Sequence, residues 1–111
     1  MQSKIYIKIS QDFSRFPGAR YRSDGPNSGQ EFYEDIFKSK FQEAIDQNLV
    51  LHLDMDGTSG YASSFISEVF TRLTKDFKDK DFIQKKLEIV SDEDPLLVNQ
   101  IITTINETDT E

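Results

Sequence analysis

Three stretches of the chain have the apolar spacing of β-strands. Between residues 4 and 9, isoleucines alternate with lysine and tyrosine, which is the period of a strand with one buried face and one wet face. Residues 49–55 are almost wholly apolar, as expected of a central strand. Residues 85–90 have the composition of a third strand. These patterns predict three strands in one sheet.

Three other stretches have the apolar spacing of amphipathic helices. The predicted apolar stripes cover residues 32–45, 66–77 and 97–105. Ser28 followed by Glu31 is a capping-box pattern, which predicts that the first helix begins there. Asp94 followed by Pro95 predicts the start of the last helix.

The order of these elements predicts an α/β fold. Strands and helices follow one another as β-loop-α-β-α-β-α, so the helices must pack on the sheet to bury their apolar stripes. A chain of 111 residues has the size of a single domain. We therefore expect one domain at residues 1–106, a small mixed sheet with helices packed against it, followed by an acidic, frayed tail at 107–111.

Composition and charge exclude several functional classes. The net charge of −7 argues against nonspecific nucleic-acid binding, because phosphate contacts need clustered lysine and arginine. The absence of cysteine excludes a disulfide framework and thiolate metal sites. The first ten residues lack the apolar stretch of a signal peptide, and no window approaches a membrane span. We expect a cytoplasmic protein that binds neither nucleic acid nor membrane.

One motif suggests an enzyme. The apolar strand ends in DMDGTSG at residues 54–60, which resembles the nucleophile strand of haloacid-dehalogenase-type phosphatases. In such an enzyme, Asp54 would attack the phosphoryl group, Asp56 would act as general acid or base, and magnesium would assist. Too little chain follows to build the remaining parallel strands of that fold. An Asp-Gly turn at a strand end is the simpler interpretation, so we expect no catalytic residues, no metal and no cofactor.

The residues after this motif resemble a different family. SGYASSFISEVFTRL gives a loop, paired serines and an amphipathic helix after an apolar strand, which is similar to the arrangement in STAS domains of sulphate transporters and anti-sigma-factor antagonists. With FPGARYRSDGPNSGQEF and LVLHLDMDG, the chain more closely resembles a bacterial STAS-like family of unknown function, over residues 4–105. The resemblance implies a STAS-like single domain with a regulatory, protein-interaction role.

The resemblance also implies a role for the paired serines. The phosphoacceptor position of the antagonists falls on Ser64, with Ser63 one residue before it. By the same resemblance, the partner would be a histidine-kinase-like ATPase that phosphorylates serine, as in partner switching. Ala62 stands where the antagonists have Asp, and Phe65 stands where they have Gly. The alternative is that Ser63 or Ser64 only caps the second helix.

Glu68 and Arg72 are candidate partner contacts. They lie one and two turns after Ser64 on the same helical face. An ordinary solvent-exposed ion pair between residues i and i+4 is the alternative interpretation.

The first loop offers a candidate anion site. Arg20 and Arg22 precede the capped helix start at Ser28 and Gly29, so forked donors and free helix amides could bind a phosphorylated ligand together. Pairing of the arginines with carboxylates of the same chain is the alternative.

Overall fold

The computed structural model describes residues 3–110, and these contain a three-stranded sheet. Its strands are β1 (Lys4–Lys8), β2 (Val50–Asp54) and β3 (Leu87–Val90). Strand β2 is central, and both of its neighbours run parallel to it. The predicted α/β class is confirmed. The sheet of the described residues is parallel throughout, where a mixed sheet was expected, because each connection between strands is a helical crossover rather than a hairpin.

Helices occupy the connections and the end of the described chain. They are α1 (Ile9–Asp12), α2 (Gly29–Phe32), α3 (Lys38–Asp46), α4 (Ser63–Phe77), α5 (Lys80–Lys86) and α6 (Leu96–Glu107). A π-helical turn (Tyr33–Phe37) joins α2 to α3 without a break, and a 3₁₀ turn (Arg22–Asp24) lies in the first loop. No helix in the described part of the chain is long and apolar enough to cross a membrane.

Helix α5 was not predicted from the sequence. The apolar stripe of the second predicted helix ends at residue 77 and the third strand was predicted from residue 85, whereas β3 begins at residue 87. Asp79 caps α5, its carboxylate accepting a hydrogen bond from the Phe82 amide at 3.0 Å. Ile83 is the fully buried apolar residue of this helix. Two adjacent apolar residues, Phe82 and Ile83, among polar and charged neighbours give no helical period, which is why the sequence pattern missed this helix.

The core lies between one face of the sheet and the helices. Ile7, Leu51 and Leu53 point from the sheet into this layer and are almost fully buried. On the opposite face, Tyr6 and His52 are neighbours; the Tyr6 side chain is exposed and the His52 side chain is partly exposed. The helices fill the core with large aromatic side chains: Phe32, Tyr33, Phe37, Phe41, Phe65 and Phe70. The functional surface must therefore lie on the solvent side of the helices, at a loop edge or on the open sheet face.

The packed domain extends past the predicted limit at residue 106. Helix α6 ends at Glu107, and Thr108 after it is buried. The Thr108 hydroxyl donates a hydrogen bond to the Thr104 carbonyl at 2.6 Å. The tail expected at 107–111 therefore starts with two residues that are attached to the helix, and Glu111 lies outside the described residues.

Candidate functional site

The loop between β2 and α4 is closed by hydrogen bonds. The Met55 amide donates to the Val90 carbonyl, and the Met55 carbonyl accepts from the Tyr61 hydroxyl, both at 2.8 Å. Burial raises the pKa of Tyr61 to about 12, so this hydroxyl keeps its proton at neutral pH. Gly57 and Gly60 have φ angles of 90° and 118°, in the region that favours glycine. These bonds and glycine conformations therefore fix the path of the backbone from β2 to α4.

Asp56 ties this loop to the loop after β3. Its two carboxylate oxygens accept hydrogen bonds from the amides of Asp92 and Glu93, each at 3.0 Å. The Glu93 carboxylate accepts in return from the Gly57 amide at 2.6 Å. Both oxygens of Asp56 are therefore occupied by the backbone, as expected for a turn residue rather than a general acid or base.

Asp54 is bound by two groups of the same chain. One oxygen accepts from the Asp56 amide at 2.9 Å, and the other pairs with the Lys8 ammonium at 3.1 Å. Burial alone would raise the pKa of the Asp54 carboxyl, but the amide and the ammonium outweigh it and hold the pKa below its ordinary value. In residues 3–110, no group of three or more His, Cys, Asp and Glu side chains is placed to hold a metal ion. That no magnesium binds tightly between Asp54 and Asp56 stays a prediction.

The low pKa of Asp54 predicts a pH-dependent contribution to stability. A carboxyl with a depressed folded pKa stabilises the fold above its unfolded pKa of about 3.9, and loses this effect as pH falls through the folded value. We expect Asp54→Asn to lower the free energy of unfolding by about 1 kcal/mol at pH 7, and the difference to shrink as the pH falls below the unfolded pKa and to disappear once the folded carboxyl is protonated. Urea melts at a series of pH values measure this. Asp92→Asn, at an exposed position, is the control, and a difference that stays constant down to pH 3 would contradict the assignment.

A pocket of about 250 Å³ opens beside this loop. Asp56, Glu93 and Asp94 contribute acidic side chains to it. Its other lining residues are Met55, Thr58, Ser59, Gly60, Tyr61, Ser91 and Leu97. The pocket therefore presents three carboxylates beside the loop that carries the DMDGT motif.

Helix α4 begins at Ser63, at the predicted place, but without a serine cap. The N-cap is Ala62, whose extended backbone lets its carbonyl accept from the amides of Phe65 and Ile66, at 3.0 and 3.3 Å. No side chain accepts a hydrogen bond at this cap. Capping by Ser63 or Ser64 is therefore wrong, because the helix starts one residue earlier than a serine cap requires. Ser63 is exposed and Ser64 is partly exposed.

The cap at Ser28 is formed as the sequence predicted. Its buried hydroxyl accepts from the Glu31 amide at 3.0 Å. The reciprocal bond of the capping box is shifted by one residue, because the Glu31 carboxylate accepts from the Asn27 amide at 3.2 Å.

Two serine substitutions should therefore differ. We expect Ser28→Ala to lower the free energy of unfolding by about 1 kcal/mol, since a buried amide loses its acceptor. We expect Ser64→Ala to change it by less than about 0.5 kcal/mol, since Ser64 caps nothing. Thermal or urea melts of the two variants decide the matter. Equal losses in both variants would show that the hydrogen bond of the Ser28 cap does not contribute specifically to the free energy of unfolding.

Glu68 does not lie on a free surface. It is only 7% exposed, because the start of α2 packs on this face of α4. Gly29 of α2 lies so close to Glu68 and Phe65 that there is no room for a side chain at this position. The Arg72 guanidinium pairs with Glu68 at 3.2 Å and with Glu34 at 3.5 Å. The expected ion pair within α4 is therefore present, and Arg72 also joins α4 to the π-helical turn through Glu34. The prediction that Glu68 contacts a partner is wrong, and the Arg72 guanidinium is bound within the chain.

The two arginines of the first loop have different partners. Arg22 pairs with Glu34 at 3.3 Å and with Asp35 at 2.7 Å. Arg20 donates to the Ser67 hydroxyl at 3.3 Å and forms no salt bridge with a carboxylate of the described chain. For Arg22, pairing within the chain is the correct interpretation, whereas Arg20 has no carboxylate partner in the described residues.

The predicted anion site at the start of α2 does not form in the described residues. Ser28 and Gly29 are buried. The Gly29 amide donates to the Ala19 carbonyl at 2.9 Å, and the next amide, that of Gln30, donates to the Arg20 carbonyl at 3.0 Å. Since the first loop folds back over the helix start, the amides that would bind an anion already have acceptors.

A groove between α4 and α6 was not predicted. It has a volume of about 350 Å³ and is lined by Ser67, Thr71, Lys75, Thr104, Glu107, Thr108 and Asp109. The four-residue spacing of Ser63, Ser67 and Thr71 was the available signal in the sequence, because such residues share one side of a helix. The exposed side of α4 thus combines hydroxyl groups with the start of the helix.

Comparison with protein families agrees with this architecture. A family model described as a STAS-like domain of unknown function (DUF4325) matches residues 28–97. The match runs from the capped start of α2 to the first turn of α6, and so includes β2, α4 and β3. Searches of curated proteins and of solved structures gave no significant match. Because the family model covers more than half of the residues, this chain belongs to the family of STAS-like domains of unknown function.

Proposed function

We propose that this STAS-like domain is a noncatalytic regulatory domain that binds a protein partner through the exposed start of α4. The observation that carries the proposal is the position of Ser63 and Ser64 in the first turn of a 15-residue helix, at least partly exposed and without a capping role. We call the exposed hydroxyl side of this helix, formed by Ser63, Ser64, Ser67 and Thr71, the α4 surface.

Phosphorylation of Ser64 would change the charge of the α4 surface without disturbing the fold. A phosphate carries a charge of about −1.5 to −2 at neutral pH. At a helix N-terminus it meets the positive end of the helix dipole, which stabilises it. Phe65, the next residue, is 1% exposed and anchors the helix start in the core. The modified and unmodified domains would therefore differ at the surface and share one interior.

The chemistry at the end of β2 supports a noncatalytic role. Asp54 and Asp56, the residues that a phosphatase would use, hold the loop and Lys8 instead. A catalytic carboxylate has to leave such partners to act on a substrate. The same bonds explain why the DMDGT motif can serve a stable turn.

The resemblance to anti-sigma-factor antagonists suggests the partner. There, a histidine-kinase-like ATPase phosphorylates serine, and we propose a partner of this class, with Ser64 as acceptor. Ala62 and Phe65 depart from the antagonist motif, and Phe65 is buried among other aromatic rings. A kinase that acts here must therefore recognise the α4 surface by other contacts.

Comparison of two variants tests this proposal. Tagged Ser64→Ala and Ser64→Asp domains are purified from cells that naturally express the protein, and the retained proteins are quantified by mass spectrometry. We expect a protein partner that is retained by Ser64→Ala and reduced at least about tenfold with Ser64→Asp, equivalent to about 1.4 kcal/mol of binding free energy. Ser59→Asp, at an exposed position of the preceding loop, is the matched charge control.

The fold of the variants must be checked in the same experiment. A carboxylate suits the first turn of a helix, so the melting temperature of Ser64→Asp should equal that of the natural domain within a few degrees. Identical sets of retained proteins from folded Ser64→Ala and Ser64→Asp would refute the proposal. Magnesium-dependent phosphatase activity that disappears in Asp54→Asn would replace it with the enzymatic alternative.

A further inference from the structure

Arg20 has no carboxylate partner among the described residues, in contrast to Arg22 and Arg72. The sequence contains 20 acidic and 13 basic residues, so carboxylates are in excess. Arg22 and Arg72 each pair with two of them. Arg20 contacts a neutral hydroxyl instead, that of Ser67, and its guanidinium lies 5.9 Å from the centre of the Tyr21 ring. A guanidinium without a carboxylate partner can form a forked, charge-assisted pair with an anion that is added later.

The backbone holds Arg20 beside the start of α4. Its carbonyl accepts from the Gln30 amide at 3.0 Å, and the carbonyl before it, that of Ala19, accepts from the Gly29 amide at 2.9 Å. Gly29 in turn lies against Phe65 of α4, where an added Cβ would be 2.9 Å from the Phe65 carbonyl oxygen. The position of Arg20 is thus set by α2, and α2 is in close contact with α4.

Ser64 lies on the side of α4 that Arg20 approaches. It precedes Ser67 by three residues and Glu68 by four, and residues at both spacings are neighbours on a helix surface. Glu68 faces the start of α2, and Ser67 accepts the hydrogen bond from Arg20. A group added to the Ser64 hydroxyl is therefore within one helical turn of the guanidinium.

We propose that Arg20 is the receptor for a phosphate on Ser64. In the phosphorylated domain, the guanidinium exchanges its hydrogen bond with the neutral Ser67 hydroxyl for a forked, charge-assisted pair with the phosphate. This pair replaces a neutral contact between the first loop and α4 by a charged one, so phosphorylation strengthens that contact as well as changing the charge of the α4 surface. The inference rests on the phosphorylation proposed above, and it assigns the residue that detects it.

Phosphorus NMR of a domain that carries phosphoserine at residue 64 tests the role of Arg20. The modified residue is introduced during synthesis, so neither a kinase nor a partner is needed. A free phosphoserine loses its second proton at a pH of about 6. Pairing with a guanidinium stabilises the dianion of the phosphoserine. We therefore expect the phosphoserine of the Arg20→Gln variant to bind this proton about tenfold more tightly than that of the unsubstituted domain. Arg22→Gln is the matched control and should titrate like the unsubstituted domain.

A second measurement avoids substitution of the arginine. In the unsubstituted chain, we expect the side-chain Nε–H resonance of Arg20 to move on phosphorylation of Ser64, and that of Arg22 to stay in place. Equal titration curves with and without Arg20, or an unmoved Arg20 resonance, would overturn the assignment. So would an Arg20 effect on phosphoserine at residue 63 that is absent at residue 64.

These outcomes are separable from the partner experiment. Loss of a partner with Ser64→Asp together with equal titration curves would leave the proposed regulation intact and remove Arg20 from it. An Arg20-dependent titration with no partner difference would support the receptor and refute the proposed regulation.

Discussion

Phe65→Ala is expected to lower the free energy of unfolding by about 3–5 kcal/mol, the largest effect of any substitution proposed in this domain. The Phe65 side chain is 1% exposed, and its ring centre lies 5.6 Å from that of Tyr61, 6.1 Å from that of Phe32 and 6.3 Å from that of Phe13. These rings belong to the loop before α4, to α2 and to the first loop. Truncation leaves a cavity where three segments meet. Urea unfolding followed by circular dichroism measures the loss.

Phe16→Ala is the matched control for this prediction. Phe16 lies in the same first loop as Phe13 but is 66% exposed, so its truncation should change the free energy of unfolding by less than about 0.5 kcal/mol. A Phe65→Ala domain as stable as Phe16→Ala would mean that the start of α4 is not anchored in the core. We would then expect phosphorylation of Ser64 to disturb the interior of the domain.

Arg72→Met is expected to lower the free energy of unfolding by about 2 kcal/mol, the second largest effect. The substitution keeps most of the apolar stem and removes the charge that compensates Glu68. Removing one member of a fully buried pair costs more, but the Arg72 side chain is 36% exposed, and solvent screens part of the effect. Denaturant melts of single variants provide the measurement.

Two further variants separate charge from packing at this site. The double variant Arg72→Met with Glu68→Gln should recover much of the loss, because no buried charge is then left without a partner. Arg22→Met removes a more exposed pair and should cost less than Arg72→Met. A double variant less stable than Arg72→Met alone would contradict the role given to Glu68.

Much of the architecture follows from apolar periodicity. The three strands and the three long amphipathic helices are at the predicted places, within a few residues, because each buries a continuous apolar face. Helix α5 has only Ile83 fully in the core and could not be found that way. The parallel arrangement of all three strands depends on the crossovers, which strand spacing alone does not reveal.

The site was harder to predict, because tertiary contacts decide which polar groups are free. Glu68 and Arg22 have the sequence character of surface residues, yet one is buried under α2 and the other is paired with two carboxylates. Arg20 has the same character as Arg22 and keeps its charge available. The serine cap failed for a smaller reason. The residue with the extended backbone that caps α4 is Ala62. A sequence pattern does not place a helix boundary to within one residue, so it does not decide which of several adjacent residues is the cap.

The measurement that tests the central claim most directly is the modification state of α4 in the native protein. The domain is isolated from cells that naturally express it, under several growth conditions, and the peptide that covers Ser59, Ser63 and Ser64 is sequenced by mass spectrometry. The account predicts a phosphate on Ser64 in a fraction of the molecules that changes with the growth condition, and an unmodified Ser59. Complete coverage of this peptide with no phosphate on Ser63 or Ser64 under any condition would contradict it.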